Sequence, residues 1–440
     1  MKKIICIASV LLVALVTGCG KMIDEIAPKS AIKADLLTDN DLGKLTNGVR
    51  YRMENLVASL WHQGDALAEN YASGPGFDYA DFHEDTGAPA SSTALSAWRD
   101  CFSVLNDVNE LLKAAKGNAD AVGNAYFFRA WIYYNLVTRY GGVPLLTEPQ
   151  SDVVPISGED AIWAQVIADC RAAIENLPDA ATIYYPTKNA ARLLLARTLL
   201  WRGENVEAAS LAGEVIDAGY VLEDNSSDWG KMFVYGTSSR EIVFALANIR
   251  ASGYNLIYER VNDTDASWNY SPAPKYYNNL FSDTAIHRGD IRQAATFSPN
   301  NTTRVIKLAN GQGDQFVTNP KAANSPLILF RLADAYLIRA EALGKNAGAA
   351  VLKTFMEERY ATVNMPASFT DAEWEGLLLD ENNREFYAEG RRWFDIKRTG
   401  RTDLYDDWKG RDYLLFWPIP QKERDIAGKT AYPQNPGYPD

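Results

Sequence analysis

Helical periodicity over most of the chain is the feature that most restricts its fold. It is clearest in residues 190–218, AARLLLARTLLWRGENVEAASLAGEVIDA, where apolar residues recur at helical spacing on both sides of Gly203. Small side chains at Ala196, Ala208 and Ala212 would let two antiparallel helices approach closely. This pattern is typical of tetratricopeptide repeats, in which helix pairs stack on one another.

Other segments share this helical period and favour a mainly α fold built from divergent helix pairs. The helix over residues 38–61 can be capped by Thr38, Asp39 or Asn40. The helix over residues 125–146 stops at Gly141-Gly142, before a short strand around Pro144. The segments with this period are residues 38–61, 90–115, 125–146 and 327–361.

The helical period fails between about residues 221 and 326. REIVFAL at 240–246 and RVIKLAN at 304–310 are predicted strands, separated by long tracts rich in Asn, Asp, Ser, Gly and Pro. Long loops in a compact domain are usually functional. We therefore expect a helical scaffold over 38–220, an irregular loop-rich insert over 221–326 with a few short strands, and C-terminal helices over 327–440.

The N-terminus has the features of a lipoprotein signal. Lys2 and Lys3 precede an apolar run over residues 4–16, which is too short for a transmembrane helix but suits a signal-peptide core. VTGC at 16–19 is a lipobox, so Cys19 is predicted to be the lipidated first residue after removal of residues 1–18. Residues 19–37 would then tether a domain spanning 38–440 to a membrane through the lipid alone.

Composition excludes several classes of protein. The 440 residues are 47% hydrophobic and 23% charged, enough to bury a sizeable core. A net charge of −12 argues against nucleic acid as a partner, because phosphates require a basic surface. Cys101 and Cys170, the two cysteines beyond the N-terminal segment, lie in helical apolar patterns and are predicted to be buried thiols rather than a disulfide.

No arrangement of catalytic residues stands out, so we expect no enzyme, no catalytic residue, no metal site and no cofactor. His62, His83 and His287 are scattered without metal-ligand spacing. The chain has no Gly-x-Ser-x-Gly elbow and no phosphate-binding glycine loop with its lysine. A glycosidase would need two carboxylates at a set separation, which a sequence does not reveal.

Two aromatic, loop-like regions are the predicted ligand site. They are WHQGDALAENYASGPGFDYADFH at 61–83, in which Gly74-Pro75-Gly76 cannot be helical, and YNLIYERVNDTDASWNYSPAPKYYNNLF at 254–281. Aromatic faces stack on the apolar faces of sugar rings, while nearby Asp, Asn and Arg bind hydroxyl groups. The predicted ligand-binding residues are Trp61, Tyr71, Tyr79, Phe82, Trp268 and Tyr270.

The C-terminal region resembles a known family. DENNREFYAEGRRWFDIKRTGR at 380–401 and YLLFWPIPQKERDIAGKTAYPQNPGY at 413–438 are similar to the C-terminal signature of the SusD/RagB family of Bacteroidota outer-membrane lipoproteins. A helix that ends in Tyr-Gly-x-Val-Pro-Leu, here at 140–145, is a second shared feature. Within the signature, Phe386 and Trp393 are predicted to belong to a core, and Arg391 and Arg398 to pair with carboxylates.

The resemblance implies a SusD-like fold and a function. It indicates a lipid-anchored subunit in the outer membrane, exposed at the cell surface, that binds a glycan or oligosaccharide and delivers it to a SusC-like TonB-dependent transporter. In such proteins an early loop and the irregular middle insert form the ligand platform, in the order of the two aromatic regions here.

Two alternatives to glycan binding remain at this stage. Some relatives serve peptide import, and an extended peptide could use the same aromatic rims. A tetratricopeptide scaffold lipoprotein that binds only protein partners would need no small ligand.

Overall fold

The computed structural model describes residues 38–73, 86–115, 117–233, 239–248, 270–298, 305–308, 326–405 and 411–439. Within these ranges the chain is mainly helical. The helices are α1 (Asp39–Leu60), α2 (Gln63–Leu67), α3 (Ser92–Ala114), α4 (Ala119–Tyr140), α5 (Glu159–Asn176), α6 (Lys188–Trp201), α7 (Asn205–Ile216), α8 (Ser226–Met232), α9 (Pro274–Asn279), α10 (Gln293–Thr296), α11 (Leu332–Glu357), α12 (Asp371–Phe386), α13 (Arg392–Thr399) and α14 (Gln421–Ala427).

The described strands are short and form two-stranded antiparallel pairs, β1 with β5, β2 with β3, β4 with β7 and β6 with β8. They are β1 (Tyr71–Ser73), β2 (Val143–Pro144), β3 (Ile156–Ser157), β4 (Ile242–Leu246), β5 (Tyr270–Pro272), β6 (His287–Asp290), β7 (Leu327–Arg331) and β8 (Tyr360–Val363).

Side-chain caps fix where the main helices begin. Thr38 caps α1 in a capping box with Asp41, which satisfies two backbone N–H groups that the first turn leaves unpaired. Ser91, Asn118 and Thr187 cap α3, α4 and α6 through their side-chain oxygens. Of the three caps that the sequence allows for α1, Thr38 is therefore the one used.

The predicted helix pair around Gly203 is confirmed. Helices α6 and α7 flank a short turn in which Gly203 has a φ of 74°, a left-handed conformation that favours glycine. Ala196, Ala208 and Ala212 are fully buried between the packed helices. Helix α7 also packs on α11, and a Cβ atom at Gly213 would lie 2.3 Å from Arg339 Nη1.

The strand predictions are partly wrong. Residues 242–246 form the expected strand, but its partner β7 occupies the start of a segment predicted to be helical throughout. Residues 304–310 do not form the expected strand where they are described. Val305 makes one isolated bridge to Phe297, and Lys307 and Leu308 form a turn. Ile306 donates its backbone N–H to Thr296 O at 2.9 Å, and Arg304, Ala309 and Asn310 lie outside the described residues.

Buried charges join the insert to the C-terminal helices, and we call Glu241, Arg292, Arg331, Arg359 and Glu385 the Glu385 cluster. All five side chains have 0% exposure. Glu385 accepts hydrogen bonds from Arg292 Nη1 at 2.7 Å, from Arg359 Nε at 3.0 Å and from Arg331. Glu241 accepts from Arg359 Nη2 at 2.8 Å and from Arg331 Nη1 at 3.1 Å.

The electrostatics of the cluster favour a charged Glu385. Burial alone would raise the pKa of Glu385, but the charges of Arg359, Arg331 and Arg292 hold it well below its usual range. Each arginine comes from a different segment of the chain. The cluster therefore closes only when the insert, β7 and α12 have all reached their places.

The structural interpretation of the C-terminal signature is confirmed. Phe386 and Trp393 are each 2% exposed and belong to the hydrophobic core. Arg391 pairs with Asp334, and Arg398 forms a bidentate pair with Glu341 on α11. Cys101 and Cys170 are buried free thiols, as predicted.

We predict that Glu385→Gln lowers the free energy of unfolding by about 3–5 kcal/mol, because three buried arginines would lose their shared carboxylate. Equilibrium denaturation in guanidinium chloride measures this. Glu207→Gln is the matched control, since Glu207 pairs with Arg171 at an exposed surface and should cost less than about 1 kcal/mol. Equal unfolding midpoints for the two variants would contradict the role assigned to the cluster.

Candidate ligand-binding face

The two aromatic regions predicted from the sequence meet in the structure. Strands β1 and β5 pair antiparallel, with Tyr71 opposite Pro272 and Ser73 opposite Tyr270. Residues 74–85 follow Ser73, and residues 249–269 end just before Tyr270. The early loop therefore leaves the β1–β5 ladder at the point where the insert enters it.

Asn70 anchors the base of this ladder. Its backbone oxygen accepts hydrogen bonds from Ala273 N at 2.9 Å and from the Tyr387 hydroxyl. Its side-chain Nδ2 donates to Asp65 Oδ1 at 2.7 Å and to Asn383 Oδ1 at 2.9 Å. The two bonds from Nδ2 favour one orientation of this buried amide, although its Oδ1 has no hydrogen-bond partner among the described residues. The start of β1 is thus tied both to the insert and to the C-terminal helices.

A second buried group, Asp65 on α2, reinforces this anchor. Its side chain accepts hydrogen bonds from Gly390 N and from Asn70. Burial raises the pKa of Asp65 to about 7, against the lowering effect of these bonds. Asp65 therefore joins α2 to the turn after α12, and its carboxyl group has a pKa near neutral pH.

Two residues of this base, Glu69 and Ala388, have left-handed backbone conformations, with φ of 53° and 65°. Such conformations are unfavourable outside glycine and persist only where surrounding contacts impose them. Glu69 immediately precedes Asn70, and the oxygen of Ala388 accepts a hydrogen bond from Trp61 Nε1 at 2.8 Å. Contacts with the rest of the fold therefore hold the backbone at the base of the ladder in one conformation.

A polar aromatic edge lies beside β5. Lys275 forms an ion pair with Glu69 at 2.9 Å and lies 5.0 Å from the ring centroids of both Tyr276 and Tyr405. The hydroxyls of Tyr276 and Tyr405 are 3.1 Å apart. Glu69, Lys275 and Tyr276 lie inside the two regions predicted from the sequence but are not among the six predicted site residues, and Tyr405 lies outside both regions. The Pro-Lys-Tyr-Tyr run at 274–277 could have indicated an aromatic edge from the sequence. No sequence feature near Tyr405 indicates that its ring lies at this edge.

The predicted site residues separate into two groups. Trp61 and Tyr71 are 8% and 5% exposed and belong to the hydrophobic core, so neither ring offers the free face that was expected. The Trp61 ring extends the apolar stripe of α1, and the Tyr71 ring packs edge-on against Tyr387 at 6.2 Å. Tyr270 lies on β5, at the loop end of the ladder.

The other three predicted residues, Tyr79, Phe82 and Trp268, lie outside the described residues. They belong to the two segments that adjoin Ser73 and Tyr270, which are the ends of the ladder. Whether their rings contact a ligand stays a prediction.

The described ranges contain no cluster of His, Cys, Asp and Glu that could hold a metal ion. In those same ranges, every helix is too short or too polar to cross a membrane. The arrangement at the ladder consists of hydrogen-bonding groups and aromatic rings, which suit reversible binding of a neutral polar molecule.

Comparison with known proteins gives consistent matches. A family model described as "Starch-binding associating with outer membrane" matches residues 25–200, and a model described as "SusD family" matches residues 265–411. The SusD-like protein P2 of Formosa agariphila is 25% identical over the full length of both chains. Starch-binding protein SusD of Bacteroides thetaiotaomicron is 33% identical over 36% of this chain and 30% of its own.

Solved structures share the fold. A SusD-like protein from Bacteroides fragilis superposes with a TM-score of 0.75 at 17% identity, covering 94% of this chain and 100% of that one. A laminarin-binding SusD-like protein superposes with a TM-score of 0.70 at 22% identity, covering 88% and 99%. A structure with xylogluco-oligosaccharide superposes with a TM-score of 0.72 at 18% identity, covering 91% of this chain and 99% of that one. These structures show the shared fold, and the two family models with the curated relatives show that the chain belongs to the SusD/RagB family.

Proposed function

We propose that this protein is a nutrient-binding subunit that captures an oligosaccharide at the cell surface and delivers it to a SusC-like TonB-dependent transporter. The observation that carries the proposal is the β1–β5 pairing, because it joins two aromatic, glycine- and proline-rich segments at one place. Relatives of known ligand add support, since one binds laminarin and another was solved with a xylogluco-oligosaccharide.

Binding would combine stacking with hydrogen bonding. The rings of Tyr79, Phe82, Trp268 and Tyr270 would supply apolar faces for sugar rings. Glu69 and Lys275 could bind hydroxyl groups at the edge of the same face, because they are exposed to solvent or partly so. No covalent bond changes in this process, so the protein would act as a binding subunit and not as an enzyme.

Trp61 and Tyr71 take a supporting role in this proposal. Their buried rings fix the end of α1 and the start of β1, so that the loops leave the scaffold from a rigid base. Residues that hold a loop in place can affect affinity without touching the ligand.

The N-terminal tether matches delivery to a membrane partner. A lipid on Cys19 would leave residues 19–37 as a connection to α1, which can span at most about 60–70 Å when extended. That reach lets the domain swing over the mouth of a transporter while remaining attached. The lipid would be the only contact that this chain itself makes with the bilayer.

We predict that Trp268→Ala and Tyr79→Ala each weaken oligosaccharide binding by roughly fivefold to tenfold, because a stacked ring contributes on the order of 1 kcal/mol. A glycan array first identifies a ligand, and isothermal titration calorimetry then measures its affinity. Tyr413→Ala is the matched control, since Tyr413 is 38% exposed and its ring packs against Tyr438 in the C-terminal segment.

Two results would contradict the proposed site. Undiminished affinity in both single variants and in the double variant would put the ligand elsewhere. Binding of extended peptides, with no glycan bound on the array, would instead support a peptide-importing member of the family.

We also predict that Cys19→Ala releases the protein from the membrane, because the lipid is its proposed anchor. Cell fractionation tests this in a strain that lacks the partner transporter, because binding to the transporter would otherwise also hold the protein at the membrane. The anchor is wrong if the variant still sediments wholly with the outer membrane in that strain.

A further inference from the structure

A partly open cavity of about 110 Å³ lies between the helical scaffold and the C-terminal signature, and no residue of the β1–β5 ladder lines it. Helices α1, α4, α6, α11 and α13 all contribute to its walls. Aromatic side chains line much of it, among them Trp131, Trp201 and Phe394. Such walls suit a ring-bearing ligand, because aromatic side chains give a large apolar contact area.

The charges around the cavity are unequal. Among the described residues that line it are four arginines and four carboxylates, of which one is Glu389. Glu389 is already bound by Lys307 at 2.6 Å and by Arg331 at 2.8 Å, outside the cavity. Four arginines therefore face three carboxylates, and the cavity has a surplus of positive charge.

Three of these arginines lack a carboxylate of their own. Arg197 and Arg391 share the single carboxylate of Asp334. Within the described ranges Arg139 forms no ion pair, and its guanidinium bonds only to neutral groups, such as Gln63 Oε1 at 2.9 Å and Asn135 Oδ1 at 2.8 Å. A buried cation without a carboxylate is costly and favours an added anion.

Arg197 also has an unused donor. Its Nη2 donates to Asp334 Oδ1 at 2.5 Å, whereas its buried Nε has no hydrogen-bond partner among the residues that the structure describes. The guanidinium lies over the Phe330 ring, 4.5 Å from the centroid, which fixes its plane. Nε itself is not accessible, but the Arg197 side chain as a whole is 16% exposed where it lines the cavity.

The cavity has an entrance. A surface groove of about 540 Å³ shares Leu200, Trp201, Glu341 and Arg398 with the cavity wall. The bidentate pair between Arg398 and Glu341 stands at this shared wall, and its side chains are only 10% and 20% exposed. An ion pair between two side chains can open without moving the helices, so it can act as a gate.

We propose that this cavity binds a small carboxylate that carries an apolar ring face, the chemistry of a uronic acid, entering from the groove past Arg398 and Glu341. The carboxylate neutralises the surplus charge beside Arg197 and Arg391, which share Asp334, while the ring packs against the tryptophans. This site is separate from the loop site of the proposed function, and its test does not depend on that function.

Calorimetric titration of the mature lipidated protein in detergent with glucuronate, and with glucose as the neutral match, tests the proposal. We expect saturable glucuronate binding at least about tenfold tighter than any glucose binding, accompanied by a change in tryptophan fluorescence. Arg197→Gln and the cavity-filling Ile338→Phe should each weaken it by roughly tenfold or more. Arg171→Gln, which removes an exposed arginine paired with Glu207, should not weaken it.

Several outcomes overturn the proposal. They are equal binding of the two sugars, no saturable glucuronate binding by the unmodified protein up to about 10 mM, or undiminished binding by a folded Arg197→Gln variant. Loss of glucuronate binding in Trp268→Ala would place the carboxylate in the loop site and likewise overturn it. Because the first two comparisons use the unmodified protein, the proposal stays testable even if both cavity variants fail to fold.

Discussion

The carboxylate of Glu385, shared by three buried arginines, is the interaction on which the rest of the structure depends. Arg292 comes from the insert, Arg331 from the end of β7 and Arg359 from the turn before β8. None of these side chains can be left without its partners in a dry interior, because an unpaired buried charge costs several kcal/mol. The network therefore favours one arrangement of three distant segments over any other.

The effect of this arrangement reaches the ligand-binding face through a few residues. Lys307 donates to the backbone oxygens of Glu385 and Tyr387 at 2.8 and 3.0 Å, which sets the turn after α12. The Tyr387 hydroxyl then donates to Asn70, and Asn70 accepts from Ala273 at the end of β5. A set of hydrogen bonds thus runs from the buried charges to the β1–β5 ladder.

The helices were predicted well from the sequence and the strands poorly, for physical reasons. Helix formation depends on local spacing and caps, so the helix pair around Gly203 and the cap at Thr38 were recognisable. LILFR at 327–331 is apolar and precedes a helix directly, and only its pairing with the distant β4 makes it a strand. Contacts between distant parts of the chain limited the prediction of the site in the same way. Residue type suggested that Trp61 and Tyr71 contact a ligand. Their rings are instead buried against Ala388 and Tyr387, more than 300 residues away.

In the proposed function a helical base stays unchanged while residues 74–85 and 249–269 meet the ligand, and hydrogen–deuterium exchange tests this division directly. The measurement compares the protein alone with the protein saturated by an oligosaccharide from the glycan array. We predict slower exchange in peptides covering residues 70–85 and 249–273, with no change in α6 and α7. Protection confined to the helices, with both loop segments unchanged, would contradict the account.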